Sequence, residues 1–227
     1  MANRDQTKIQ EKLVTLYMRL NGYFTSGHIV HSPERDQLKS EIDLIGVRFP
    51  NHKQIDRGVP SDPNLQTSDD WIDFVICEVK SKGKSKRNNY SLENIDTLEK
   101  IILWFGGLSE KSTNETSQNI LDEINKKEAH PNKPITVETG EKIRIRLILF
   151  GPENNKKRSN QNFFITGPQI IEYISNCLLP NAERENCATR YDYTSWGDFE
   201  EIIRIFKENN NDKIVDINFI YKKILGI

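Results

Sequence analysis

This chain is poor in the features that would cross-link it or anchor it. Its three cysteines, Cys77, Cys177 and Cys187, are an odd number at wide spacing, with no Cys-x-x-Cys pair and no nearby histidine. That pattern argues against a disulfide framework and a zinc site, and predicts buried, reduced thiols. No run approaches the roughly 20 apolar residues needed to span a bilayer, and no apolar segment follows the polar start Met1-Ala2-Asn3-Arg4-Asp5. The expected location is cytoplasmic, with no membrane partner. No Gly-rich phosphate loop or Gly-x-Ser-x-Gly elbow is present, against an NTPase or a serine hydrolase. Net charge is only -1, so the molecule as a whole does not attract a polyanion. Any such attraction must come from a local patch.

What is present is enough apolar sequence for a core. With 227 residues, 36% hydrophobic and 29% charged, the chain predicts one compact unit with a strongly hydrated surface. Thr7 to Leu20 reads as a helix with Ile9, Leu13, Leu16 and Leu20 on one stripe, ended by Asn21-Gly22. Strands are predicted over Tyr23 to Val30, Ser40 to Phe49 and Trp71 to Ser81, with a turn at Ser32 to Asp36 and a long polar loop from Asn51 to Asp70. Leu92 to Phe105 is helical in period and closed by Gly106-Gly107. Ser109 to Pro134 is polar and ambiguous, with one helix around Ile120 to Lys127. Ile143 to Phe150 and Phe163 to Thr166 read as strands. Gln169 to Leu179 reads as a helix, and Phe199, Ile202, Ile203 and Phe206 mark a final helix that Ser195 is placed to cap. The class is α/β: a mixed central sheet flanked by helices.

Chemistry concentrates in two of these strands. In Ile76-Cys77-Glu78-Val79-Lys80-Ser81, alternation sends Glu78 and Lys80 to one side and Val79 to the other. In Glu41-Ile42-Asp43-Leu44-Ile45-Gly46, the same rule puts Glu41 and Asp43 on one face and Ile42, Leu44 and Gly46 on the opposite one. If the strands pair, carboxylates converge on Glu78, and clustered carboxylates either hold a proton or capture a cation. A hard divalent ion such as Mg²⁺, with Mn²⁺ as substitute, suits oxygen ligands and leaves positions for phosphate oxygens. Lys80 would then polarise water or steady a phosphate.

These residues resemble the PD-(D/E)xK, or restriction-endonuclease-like, nucleases, with Asp43 as the motif acid and Glu78-Val79-Lys80 as (D/E)xK; Ile42 stands where the family has proline. The N-terminal half is similar to Holliday-junction-resolvase-like members. There a helix glutamate stands eleven residues before a Gly-aromatic pair, as Glu11 does before Gly22-Tyr23. The resemblance covers Glu11 to about Leu108. It implies an αβββαβ core, metal held by Asp43, Glu78, the Val79 carbonyl and Glu11, and hydrolysis of DNA, duplex or branched. On this basis residues 1–166 are expected to form the nuclease core, with an inserted loop at 51–70, and 167–227 a mostly helical extension packed on it.

Other signals are weighed against plainer readings. Lys80, Lys82, Lys84, Lys86 and Arg87 place five cations in eight residues leaving the motif, as a phosphate track or a solvated run. Tyr90 either stacks on a base or staples the next helix. The 51–70 loop either touches DNA or a partner subunit, or is an idle insertion. Glu41 is favoured as a solvated residue rather than a ligand, and Lys100 as a surface lysine. His28 and His31 have opposite strand parity and make a poor metal pair. Tyr191, Tyr193 and Trp196 are favoured as packing over base binding. The competing functions are a nuclease-fold DNA-binding or scaffolding module without turnover and an RNA-cleaving nuclease. Since one site cuts one strand, a homodimer is the simplest double-strand cutter.

Overall fold

The computed structural model describes residues 4–31, 38–53, 58–66, 70–81, 92–126, 133–155, 163–179, 193–209 and 215–226. Helix α1 (Arg4–Leu20) buries Ile9, Leu13, Leu16 and Leu20 together with Val14 and Met18, as its period requires. Gly22 stops it at φ 87, a left-handed conformation that favours glycine. Strands β1 (Phe24–His31), β2 (Leu38–Arg48) and β3 (Ile72–Val79) follow as an antiparallel meander. Helices α2 (Ile95–Phe105) and α3 (Glu110–Asn125) then cross over, and β5 (Ile143–Gly151) returns parallel to β3. Asn94 caps α2 by accepting from the Thr97 N–H, and Gly106 closes it in the left-handed region.

The six-stranded sheet runs β1-β2-β3-β5-β4, where β4 is Ile135–Glu138, antiparallel to the first half of β5. β6 (Phe164–Thr166) pairs parallel with the second half of β5. The protein is therefore α/β, a mixed sheet flanked by helices. One face carries α1 with α4 (Gly167–Leu178), α5 (Glu200–Glu208) and α6 (Ile217–Leu225), and its core joins Leu13, Tyr17, Val75, Cys77, Phe150 and Ile220. The other face, under α2 and α3, is built on Ile42, Ile45, Phe74, Ile76, Leu98 and Ile102. Each such side chain withdrawn from water contributes roughly 1.5–3 kcal/mol before the entropy of ordering it is set against it.

Several expectations needed correction. β4 and α6 were not foreseen: four residues of alternating burial and nine C-terminal residues give a weak periodic signal. α3 runs from Glu110, capped by Ser109, because Thr113, Thr116 and Ser117 bury small polar side chains where an apolar stripe was sought. Ser195 does not cap the following helix; it lies inside the 3-10 segment Tyr193–Phe199, and Phe199 holds the N-cap position of α5 without a side-chain bond. Tyr193 and Trp196 pack against the core, beneath Arg204 and Arg19 respectively; Tyr191 lies outside the described residues. Cys77 and Cys177 are buried and form no disulfide among the described residues, and Cys187 lies outside the described residues. Among the described residues no helix is long and apolar enough to cross a membrane.

The 51–70 loop is not idle where it is described. Pro63–Leu65 forms a 3-10 turn whose Leu65 is fully buried, and the Asn64 and Leu65 carbonyls accept from Arg146. That anchor sits beside Asp73, at the opposite end of β3 from Glu78 and about 17 Å away at strand rise.

Candidate active site

Asp43 owes its placement to an irregularity. Ser26 pairs with Ile45 but His28 pairs with Ile42, so Gly27 alone opposes both Asp43 and Leu44, a β-bulge. The extra residue shifts the parity of β2: Ile42 packs under α2 while Leu44 packs under α1. The expectation that Ile42 and Leu44 share a face is thereby corrected, since simple alternation fails across a bulge.

The same place is where two strands part. The β2–β3 ladder ends at Leu44 and Cys77, while β3 stays paired with β5 through Val79 and Phe150. Lys80 donates its N–H to the Phe150 carbonyl at 2.8 Å, so by alternation the Val79 N–H points the other way, into the gap. Asp43 Oδ2 accepts it at 2.7 Å, replacing the lost ladder bond. The Val79 carbonyl leaves the same edge of the strand and faces the same gap.

Glu78 follows the parity of Phe74 and Ile76 and lines a small cavity with Ile76, Leu92, Lys133, Ile135 and Leu147. It is 1% exposed and stands 2.6 Å from Lys80 Nζ, itself 15% exposed. The pair confirms that the two side chains share a side. Among the described residues neither Glu78 oxygen accepts a hydrogen bond of good geometry, so this carboxylate is buried with one cation and spare lone pairs.

Glu11, on α1, is pushed above the usual carboxylate range by burial and by Asp43 and Glu41. Glu11 is therefore within electrostatic reach of Asp43. Glu41 itself is exposed. For Asp43, burial raises the pKa and the Val79 N–H opposes it; Glu78 adds to the rise and Lys80 counters, and the net direction is up. Glu11, Glu41 and Asp43 gather on the α1 side, and Glu78 with Lys80 on the α2 side, with the end of β3 between them. Among the described residues no three Asp, Glu, His or Cys side chains come together closely enough to hold a metal ion. Two carboxylates and a peptide carbonyl flank the gap, and Mg²⁺ is commonly held by one or two carboxylates with waters and phosphate completing its shell. The donors are all hard oxygens, and Glu78 has lone pairs to spare, which is the donor chemistry such an ion takes.

The raised Asp43 pKa fixes a sign. The folded chain binds this proton more tightly than the unfolded chain, so stability is lost as pH rises from the unfolded value of about 4 through the folded one. Asp43→Asn keeps an acceptor for Val79 and removes the charge. In metal-free buffer it should melt a few degrees above wild type at about pH 7, with each kcal/mol worth roughly 2–4 °C at this length. Near pH 3 the two curves should coincide. Equal or lower melting at neutral pH would contradict the electrostatic account.

Of the other residues considered, Lys100 is exposed. His28 lies against the Trp104 ring, with 4.9 Å between ring centroids. Lys82, Lys84, Lys86, Arg87 and Tyr90 lie outside the described residues. Gln10, Tyr221 and Glu153 were missed: Ser81 Oγ donates to Gln10 Oε1 at 3.5 Å, Gln10 Nε2 to Tyr221 Oη at 2.7 Å, and Tyr221 Oη to Glu153 at 3.1 Å. No periodic or motif signal marks these three. Compared with models of protein families, with curated proteins and with solved structures, the chain matches none.

Proposed function

We propose that this chain is a metal-dependent DNA endonuclease of the PD-(D/E)xK type. The observation that carries the reading is the fork between β2 and β3, which a bulged Asp43 and the free edge of Val79 flank on one side of β3 and the buried Glu78–Lys80 pair on the other. Support comes from the order α1, a three-strand meander, two helices and a strand, β5, parallel to the third, although β4 stands between the helices and that strand. In this reading Asp43, Glu78 and the Val79 carbonyl hold Mg²⁺, with Glu11 assisting. The ion would acidify a water and offset the charge that grows on the phosphate. Lys80 holds its ammonium where a water or a phosphate oxygen must pass, and the low dielectric around a buried pair strengthens that interaction. The basic run Lys82, Lys84, Lys86 and Arg87, which follows Ser81 in sequence, supplies the phosphate track. Two subunits would give double-strand cleavage.

Incubation with plasmid, single-stranded, branched and RNA substrates tests this directly. Cleavage of DNA is expected with Mg²⁺ or Mn²⁺, and its disappearance with EDTA. Activity that resists EDTA would remove the metal role. Binding of every substrate without product would make the chain a scaffold that kept the nuclease residues, and RNA-only cleavage would change the substrate. Sedimentation showing only monomer, with and without DNA, would end the homodimer proposal.

A further inference from the structure

The chain Ser81–Gln10–Tyr221–Glu153 ties together parts of the molecule that are remote in sequence. Gln10 is fully buried and its bond to Tyr221 spans 211 residues. Gln10 precedes Glu11, and Ser81 follows Lys80, so the Ser81–Gln10 bond joins segments that carry two of the candidate site residues, and the other end of the Gln10 amide ties them to Tyr221. Every donor points the same way, from Ser81 toward the Glu153 carboxylate, which accepts from Tyr221. Such a chain polarises itself, and it fixes which atom of the Gln10 amide faces Ser81. Tyr221 belongs to α6 and Glu153 follows β5. The chain therefore links α6 and the segment after β5, through α1, to the residue that follows Lys80.

We infer that Gln10 and Tyr221 are positioning residues for the phosphodiester site: through Ser81 they fix the exit of β3, and with it the Lys80 ammonium beside Glu78. The C-terminal helix is thereby part of the support of the site. This inference rests on the nuclease reading above, and its test carries a readout that does not.

The full-length protein is compared with Tyr221→Phe, which keeps the ring and removes one hydroxyl, and with the near-isosteric Gln10→Met in case the first fails to fold. Loss of a group that orients a site residue costs about 10-fold or more in activity. Single-turnover cleavage in Mg²⁺ should fall by about that factor, with DNA affinity in Ca²⁺ unchanged. Amide hydrogen exchange at the C-terminal end of β3 should quicken by about 10-fold, while β1 exchanges as in wild type. Faster exchange with wild-type cleavage would make the chain a structural tie only and overturn the proposal. Wild-type exchange in both variants would overturn it too, whatever the cleavage rates. A wild-type protein that never cleaves would sink the nuclease reading and remove the site that this chain is said to position, while the exchange rates would still report whether the chain holds β3.

Discussion

Lys80→Ala and Asp43→Ala should each lower Mg²⁺-dependent DNA cleavage by at least about 10³-fold, the scale on which a positioned acid, base or charge contributes. They should then part company in stability. Glu78 is 1% exposed and its charged partner is Lys80 at 2.6 Å, so truncating the lysine strands a buried carboxylate. Breaking a fully buried pair from one side costs about 3–5 kcal/mol. Lys80 is 15% exposed, which argues for the lower end and a melting point roughly 5–10 °C down. Asp43→Ala loses one acceptor for the Val79 N–H, about 1 kcal/mol, but also relieves its repulsion from Glu78 and Glu41. Its melting point should stay within a few degrees of wild type. Both proteins should keep most of their DNA affinity. Wild-type cleavage by either purified, folded variant would sink the assignment, and equal melting of the two would show that Glu78 does not depend on Lys80.

Much of this site was legible because strand alternation is a rigid rule. It placed Glu78 beside Lys80 without any knowledge of what lay opposite. The rule failed within β2, where a bulge opposite Gly27 moves Leu44 to the other face from Ile42. Nothing local predicts a bulge: Asp43 and Leu44 are ordinary strand residues, and the extra residue is defined only by the partner strand. The Gln10 chain was illegible for a related reason, since its partners are 211 and 71 residues away in sequence. The helices were readable where an apolar stripe faces a core, as in α1 and α2. They were poorly readable in α3, where threonine and serine take those positions.

One signal was available in the sequence and concerns the frame of the site. Asp73 in β3 and Arg146 in β5 each stand between apolar neighbours, Ile72 and Phe74 and Ile145 and Leu147, and a buried charge there is untenable without a partner. They are partners: Arg146 Nε donates to Asp73 Oδ1 at 2.9 Å, and its Nη2 reaches Asp73 Oδ2 and the Tyr23 hydroxyl, the latter at 2.7 Å. Asp73 is 0% exposed and Arg146 5%. Nη1 donates to the Asn64 carbonyl at 3.0 Å, and Nη2 also lies 3.5 Å from the Leu65 carbonyl. Burial also holds the Tyr23 hydroxyl above its ordinary pKa, against the pull of Arg146, so it stays a neutral donor to Asp73.

Arg146→Ala should therefore be the most damaging single change to the fold. It leaves a buried carboxylate, a buried hydroxyl and two loop carbonyls without their donor, and should cost about 3–5 kcal/mol. At roughly 2–4 °C per kcal/mol that is a melting point about 10–15 °C lower. Arg146→Lys should recover little, because one ammonium cannot serve a carboxylate, a hydroxyl and two carbonyls as a planar fork does. Asp73→Leu combined with Arg146→Met should recover much of the loss, since an apolar pair of similar volume removes both desolvated charges. Denaturant unfolding of the four proteins reads this directly, and a loss below about 1 kcal/mol for Arg146→Ala would show that the network is not a pillar of the fold. The network lies at the end of β3 away from Glu78, so whatever fraction of Arg146→Lys remains folded should cleave at the wild-type rate. The far end of the strand holds the sheet together, and the near end, where β2 leaves it, carries the proposed site.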